Sequence, residues 1–174
     1  MKKISLFAIV MMTVMMVACN NKSNASADAE AGTNQLPEGF VHYDGACYAF
    51  DCPEALSNGR MGDTIFLSNA PAQNASLHVN MMTEDVPTAE EFQKFADKKI
   101  AERKRYMEIL QDPKIEDKLL SIRCKDEDRG EIVEFFYVLG ESGNMAYGNF
   151  SYKEDAANEY AAAVEPFVNS IVVK

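Results

Sequence analysis

The chain has no tryptophan and only two histidines, His42 and His78, in 174 residues. Two imidazoles are little material for the general bases and metal ligands that histidine usually supplies. No Gly-x-Ser-x-Gly elbow, His-Glu-x-x-His zinc helix, Walker loop or dinucleotide-binding glycine pattern occurs. Those absences remove the common hydrolase, metalloprotease and nucleotide-binding signatures. Positive charge is also scarce, with 17 Lys and Arg against 27 Asp and Glu and a formal net charge of −10. A surface that acidic repels nucleic-acid phosphates and anionic lipid headgroups, so neither is an expected partner. No internal repeat is visible, and no Pro/Gly/Ser-rich break splits the chain after Glu38.

What is present is concentrated at the start. Met1-Lys2-Lys3 precedes an apolar stretch from Ile4 to Ala18, interrupted only by Ser5 and Thr13, and Cys19 is followed by polar Asn20, Asn21 and Lys22. A basic start, a short apolar run and small residues before a break have the build of a secretory signal. The run falls short of the ~20 residues an α-helix needs to span the hydrocarbon layer. Met16-Val17-Ala18-Cys19 resembles the bacterial lipobox, with Met16 where most lipoboxes carry Leu. The resemblance implies cleavage of a signal peptide, 1–18, and a lipid (palmitate among its acyl chains) on Cys19. Plain secretion with Cys19 a bystander, and an uncleaved anchor, are the alternatives. Two or three acyl chains anchor stably where one holds marginally. Asn20 resembles signals that send a lipoprotein on to an outer membrane. The expected place is therefore the bacterial cell envelope or periplasm, at the outer rather than the inner membrane.

Removing 1–18 takes away Lys2 and Lys3 and deepens the negative charge by two. From Asn20 to Pro37 the chain is Asn, Ser, Ala, Gly, Thr and Gln with almost no bulky apolar residue. Such a segment cannot bury enough surface to offset its ordering entropy, so 19–37 reads as a lipidated cysteine and flexible tether, reaching roughly 20–25 Å. Residues 38–174 hold every aromatic residue but Phe7 and read as a single globular α+β domain.

Val41 to Phe50 reads as a hairpin around Asp44-Gly45, which supplies the positive φ angles of a tight turn. Thr64 to Leu67 is a short strand. Ser76 to Met82 alternates, with Leu77, Val79 and Met81 on one face and Ser76, His78 and Asn80 on the other. The spacing of Phe92, Phe95, Ala96, Ile100, Met107 and Leu110 predicts a helix over Ala89–Leu110, with Thr88 and Glu91 as a capping box and Asp112-Pro113 as the stop. Strands follow at Lys118–Cys124, Glu131–Leu139 and Met145–Tyr152. The middle one is apolar on both faces, which implies a central strand covered on both sides. A last helix starts near Asp155, its expected cap, and runs to about Phe167, with Pro166 kinking or ending it. The expectation is an antiparallel sheet covered by helices on both faces, an α/β/α sandwich.

This order of elements resembles the PsbP-like fold, shared by an extrinsic protein of photosystem II and a Ran-binding nuclear-transport factor. The resemblance rests on Tyr48-Ala49-Phe50-Asp51-Cys52-Pro53, the long helix after Met81-Met82, the aromatic hairpin Glu131–Tyr152 and the ending Phe167-Val168-Asn169-Ser170-Ile171-Val172. Because members of that fold are mostly accessory proteins, the resemblance implies binding rather than catalysis. No partner-binding residue carries over from it.

His42 and His78 read as surface or packing residues. Of the mature cysteines, Cys47 and Cys52 lie about 16 Å apart on a straight segment, too far to bridge. Cys52 continues the Tyr48/Phe50 face and Cys124 the Leu120/Ile122 face. Cys52–Cys124 is therefore the favoured disulfide, set against three reduced and mostly buried thiols. Asp126-Glu127-Asp128 beside Glu131 is the densest acidic run, but Gly130 falls one position early for a calcium loop, so it reads as a solvated connection. Lys98, Lys99, Arg103, Lys104 and Arg105 read as the wet face of the helix. Asp63-Thr64-Ile65 matches a weak bacterial O-glycosylation pattern but reads more simply as a strand start. No catalytic residue, cofactor or metal is expected. The function expected is that of a non-enzymatic envelope lipoprotein, held to the membrane by lipid on Cys19 and binding another envelope protein or a small ligand. A structural or assembly factor of an envelope complex, or an enzyme whose site is assembled from distant residues, are its rivals.

Overall fold

The computed structural model describes residues 38–56, 58–60 and 64–174. The expected signal peptide over 1–18, Cys19, the expected tether to residue 37 and Asp63 lie outside the described residues. Eleven strands and two helices are described, with all strand pairs antiparallel. β1 (Phe40–Asp44) and β2 (Tyr48–Pro53) form the expected hairpin, with Tyr43 opposite Phe50 and Asp44 opposite Ala49. Neither Asp44 nor Gly45 takes the expected positive φ, however, and the turn is closed by Gly45 N–H donating to the Tyr48 carbonyl at 3.0 Å. β2 sits between β1 and the C-terminal strand β11 (Val172–Val173) in a small sheet.

The main sheet is built from β3 (Asn58–Arg60), β4 (Ile65–Ser68), β5 (Ala75–Met82), β6 (Glu108–Ile109), β7 (Lys114–Glu116), β8 (Leu119–Asp126), β9 (Glu131–Leu139) and β10 (Met145–Lys153). Its order is β3-β4-β5-β10-β9-β8-β6, with β7 also paired to β8. The two-faced pattern of β9 places it near the middle. Phe136, with Ile132 and Val138, points into one core, while Phe135, Tyr137 and Leu139 point into the other.

Each core takes one helix. α2 (Ala157–Ser170) contributes Tyr160, Val164, Phe167 and Val168 to the core that holds Phe50, Leu77, Phe136 and Phe150. α1 (Phe92–Arg103) contributes Phe92 and Ala96 to the second, with Leu120, Ile122, Cys124 and Tyr137. Gly148 on β10 is required by a close approach, because a Cβ there would sit 1.9 Å from the His78 carbonyl oxygen.

The boundaries of both helices differ from expectation, and α1 starts at Phe92 where Ala89 was expected. Thr88 and Glu91 do exchange the capping-box hydrogen bonds, Thr88 N–H donating to Glu91 Oε2 at 3.1 Å and Glu91 N–H to Thr88 Oγ1 at 3.3 Å. The helix, however, ends at Arg103, not Leu110. Beyond it Glu108 and Ile109 pair with Lys125 and Cys124, and Leu110 N–H donates to the Arg123 carbonyl at 2.9 Å. Sheet-edge pairing overrides the helical spacing of Met107 and Leu110. Asp155 lies in a 3₁₀ turn, Glu154–Ala156, ahead of α2 and does not cap it. Pro166 stands inside α2, which runs on to Ser170. The carbonyl that Pro166 leaves unbonded belongs to Ala162 one turn back, an exposed residue that water reaches.

The Cys52–Cys124 bridge does not form: Cys47, Cys52 and Cys124 are all free thiols. Continuity of faces misled here because Cys52 belongs to the small sheet and its core, while Cys124 faces the other core from the main sheet.

Candidate functional site

The main sheet leaves one region of its α1-side face half open. Strand register lines up Phe66 on β4, His78 on β5, Asn149 on β10 and Phe135 on β9 as a row of neighbours. A second row brings Ser76 beside Ser151, their hydroxyls 2.8 Å apart, and then Val133. α1 is too short to cover these rows. A hollow of about 330 Å³ remains over them, bounded by Met107 on one side and by Asp126, Arg129 and Glu131 at the β8–β9 turn. Phe66 is 42% exposed there, and its ring meets His78 edge-on at 5.0 Å.

A second hollow, of about 440 Å³, shares Met107 and Asp126 with the first and runs past Lys104, Tyr106, Glu108, Lys125, Glu127 and Asp128. Tyr106 is 83% exposed. Of the three cations near these hollows, two have carboxylate partners of their own. Lys125 pairs with Glu154 at 3.0 Å, a bond that raises the lysine pKa. Arg129 sits 3.7 Å from Asp126. Among the described residues Glu108, Glu127 and Asp128 form no ion pair, so the rim stays net negative.

Two members of the basic cluster do not face water as expected. The Arg103 guanidinium stacks 3.6 Å above the Phe135 ring and donates to the Tyr137 hydroxyl at 3.3 Å. Its Nε is buried with no acceptor among the described residues. Lys99 Nζ lies 5.6 Å from the Phe95 ring centre. Cation–π attraction draws both inward. The signal was the i, i+4, i+8 spacing of Phe95, Lys99 and Arg103 on one stripe.

The remaining expected residues are dispersed. His42 lies on the small sheet, its Nδ1 2.6 Å from Asp51 Oδ1, and the structure does not bring it to His78. His78 makes no hydrogen bond from its ring among the described residues, and no group of acidic, histidine or cysteine side chains there is arranged to hold a metal. Burial pushes the Cys52 and Cys124 thiols up to about 11 each, with the Asp51 charge adding to the shift at Cys52. Both are therefore unreactive at neutral pH. Thr64 is exposed at the start of β4. On the opposite face Glu134 is 2% exposed, and its carboxylate accepts from Ser121 Oγ and from Arg123 Nε, the latter at 2.6 Å. With both oxygens engaged, that buried pair satisfies itself. The crevice of about 160 Å³ above it is bridged by Lys114, 3.6 Å from Glu165 on α2. No described helix is long and apolar enough to cross a membrane.

No family model and no curated protein sequence matches the chain. Its fold is similar to the solution structure of the cyanobacterial PsbP protein (CyanoP) from Synechocystis, with a TM-score of 0.50 at 12% identity, covering 84% of this chain and 98% of that one. A crystal structure from Bacteroides thetaiotaomicron has a TM-score of 0.49 at 10% identity, covering 78% of this chain and 48% of that one. A protein of unknown function from Pseudomonas aeruginosa gives 0.42 at 12% identity, covering 72% and 91%. At such identities the likeness speaks to fold alone. The chain is a mixed α/β protein with antiparallel sheets, two helices and a PsbP-like fold.

Proposed function

We propose that this protein is a non-enzymatic lipoprotein of the bacterial cell envelope, tethered by lipid on Cys19, whose folded part is an accessory module that binds another envelope protein or a small ligand. The fold is read more finely as an α/β/α sandwich, since each of the two cores takes one helix. The observation that carries the binding reading is the half-open sheet face. A large aromatic side chain, Phe66, stands 42% exposed beside polar His78, Ser76 and Asn149 over a hollow of about 330 Å³. Exposed apolar surface ringed by polar groups is what a protein keeps for a partner. The non-enzymatic reading is supported by His78, the one histidine at that face. Its ring packs on Phe66 and is oriented by no carboxylate among the described residues, whereas a general base needs an orienting partner and a substrate proton within reach.

Affinity purification from the native envelope tests the binding reading. The wild-type protein should retain a specific partner that Phe66→Ser loses, and identical profiles would refute the face as the site. Cys19→Ser tests the tether. It should release the protein from membranes or leave an unprocessed precursor, and unchanged processing with unchanged membrane association would refute it.

A further inference from the structure

Resting on that reading of the half-open face, we propose that its partner is a cationic peptide segment carrying a large apolar side chain. The two hollows adjoin at Met107 and Asp126, which line both, and so present a partner with two chemically different halves. One half has an apolar floor in Phe66 and Val133, beside the Phe135 ring that Arg103 already covers on one face, and a partner's aromatic or long aliphatic side chain would cover it. The other half carries the charge. Among the described residues Glu108, Glu127 and Asp128 have no ion-pair partner and outnumber the one unpaired lysine of that lining, Lys104, while Lys125 is held by Glu154 and Arg129 leans on Asp126. Tyr106, 83% exposed, stands at that end as a second ring for a cation or an apolar stem to pack on. The whole chain adds to the field, with its formal −10.

An anionic ligand would meet repulsion along these hollows, and a neutral one would leave their carboxylates without a role. A second copy of the chain would bring its own negative charge against them. A basic segment with one apolar anchor satisfies both halves at once. The chain already uses this chemistry within itself, where Arg103 lies on Phe135 and Lys99 over Phe95.

The test uses the full-length protein and a fluorescently labelled synthetic peptide, Lys-Lys-Ser-Phe-Lys-Lys. The peptide should bind, and binding should weaken as salt rises. Phe66→Ser and the double variant Glu127→Lys/Asp128→Lys should each weaken it about tenfold, the loss expected of one anchoring contact. The double variant should also flatten the salt dependence. Both changes lie at exposed positions, so an unchanged thermal midpoint certifies that the variants fold. Equal binding of Glu-Glu-Ser-Phe-Glu-Glu would overturn the proposal, as would an affinity indifferent to the charge reversal. A self-association that Phe66→Ser abolishes would also overturn it, in favour of a second copy. Capture from the native envelope separates the two levels. Partner retention lost in Phe66→Ser but kept in the charge reversal removes the cationic inference alone, and retention kept in both removes the binding face as well.

Discussion

The two faces of the main sheet solve the same burial problem differently. On the α2 side, Phe50, Phe136, Phe150 and Phe167 are each fully buried. Phe167 meets the other three rings edge-on, with centroids 5.6, 5.3 and 5.8 Å away. A helix and a second sheet together seal that side. On the α1 side one shorter helix does the covering, and Phe95 stays half-buried against Tyr137 at 5.3 Å. The long stems of Lys99 and Arg103 stand in for missing apolar cover, and beyond them the sheet is left open at Phe66. One face is closed by packing and the other leaves Phe66 partly open.

Truncating the rings should break the comparison most sharply. Phe167→Ala should lose about 3–5 kcal/mol in urea unfolding, a large part of a typical ~5–15 kcal/mol domain stability. Phe95→Ala, on the half-covered side, should lose roughly 1–2 kcal/mol, since much of its ring already meets water. Equal losses would mean that the two faces are equally packed. Gly148→Ala should come next, at roughly 1–3 kcal/mol, because its methyl would press on the β5 backbone and on the Phe136 ring.

The thiols, one in each core, add an effect that is absent at neutral pH. Burial holds Cys52 and Cys124 up to about 11, above the 9.0 of an unhindered thiol. The unfolded chain gives up these protons first as pH rises. Stability is therefore intact below about pH 9 and falls through about pH 11. Tyr152 and Tyr160, both raised mainly by burial, push in the same direction. Unfolding midpoints measured between those limits should decline, and a flat profile would count against thiol burial. Native alkylation followed by mass spectrometry adds detail. Exposed Cys47 should react at once, and Cys124 should follow before Cys52 if the half-open face breathes more readily.

Much of the fold was legible where local chemistry and tertiary need agree. A turn does follow Asp44, without the positive φ angles expected there. Leu77, Val79 and Met81 mark a buried face, and β9 is apolar on both sides because its side chains enter two cores. Thr88 and Glu91 announce a helix start through their own hydrogen bonds. The failures share a cause, which is competition from residues distant in sequence. Met107 and Leu110 keep helical spacing, yet pairing with Lys125 and Cys124 draws the chain there into a strand. β7 and β11 are too short to leave a pattern. Of the candidate site, His78 was legible as a residue on a polar strand face. Phe66 was not, because an apolar residue in a strand reads as core until the opposite layer is known to stop short of it. The inward turn of Arg103 was hidden by its place in a run of charges.

The position of β2 bears on the order of assembly. Ala49 pairs on one side with Asp44, across a tight turn, and on the other with Val172, close to the last residue. Lys174 fastens that edge, its amide donating to the Cys47 carbonyl at 2.9 Å and its Nζ to the Gly45 carbonyl at 2.8 Å. The first pairing can form while little else exists, whereas the second closes a loop over nearly the whole domain and carries the entropy of doing so. The hairpin is thus an early piece of the molecule that stays unlatched until the main sheet and α2 have brought β11 within reach. In pulsed hydrogen exchange during refolding, the β2 amides that face β11 belong among the last to gain protection.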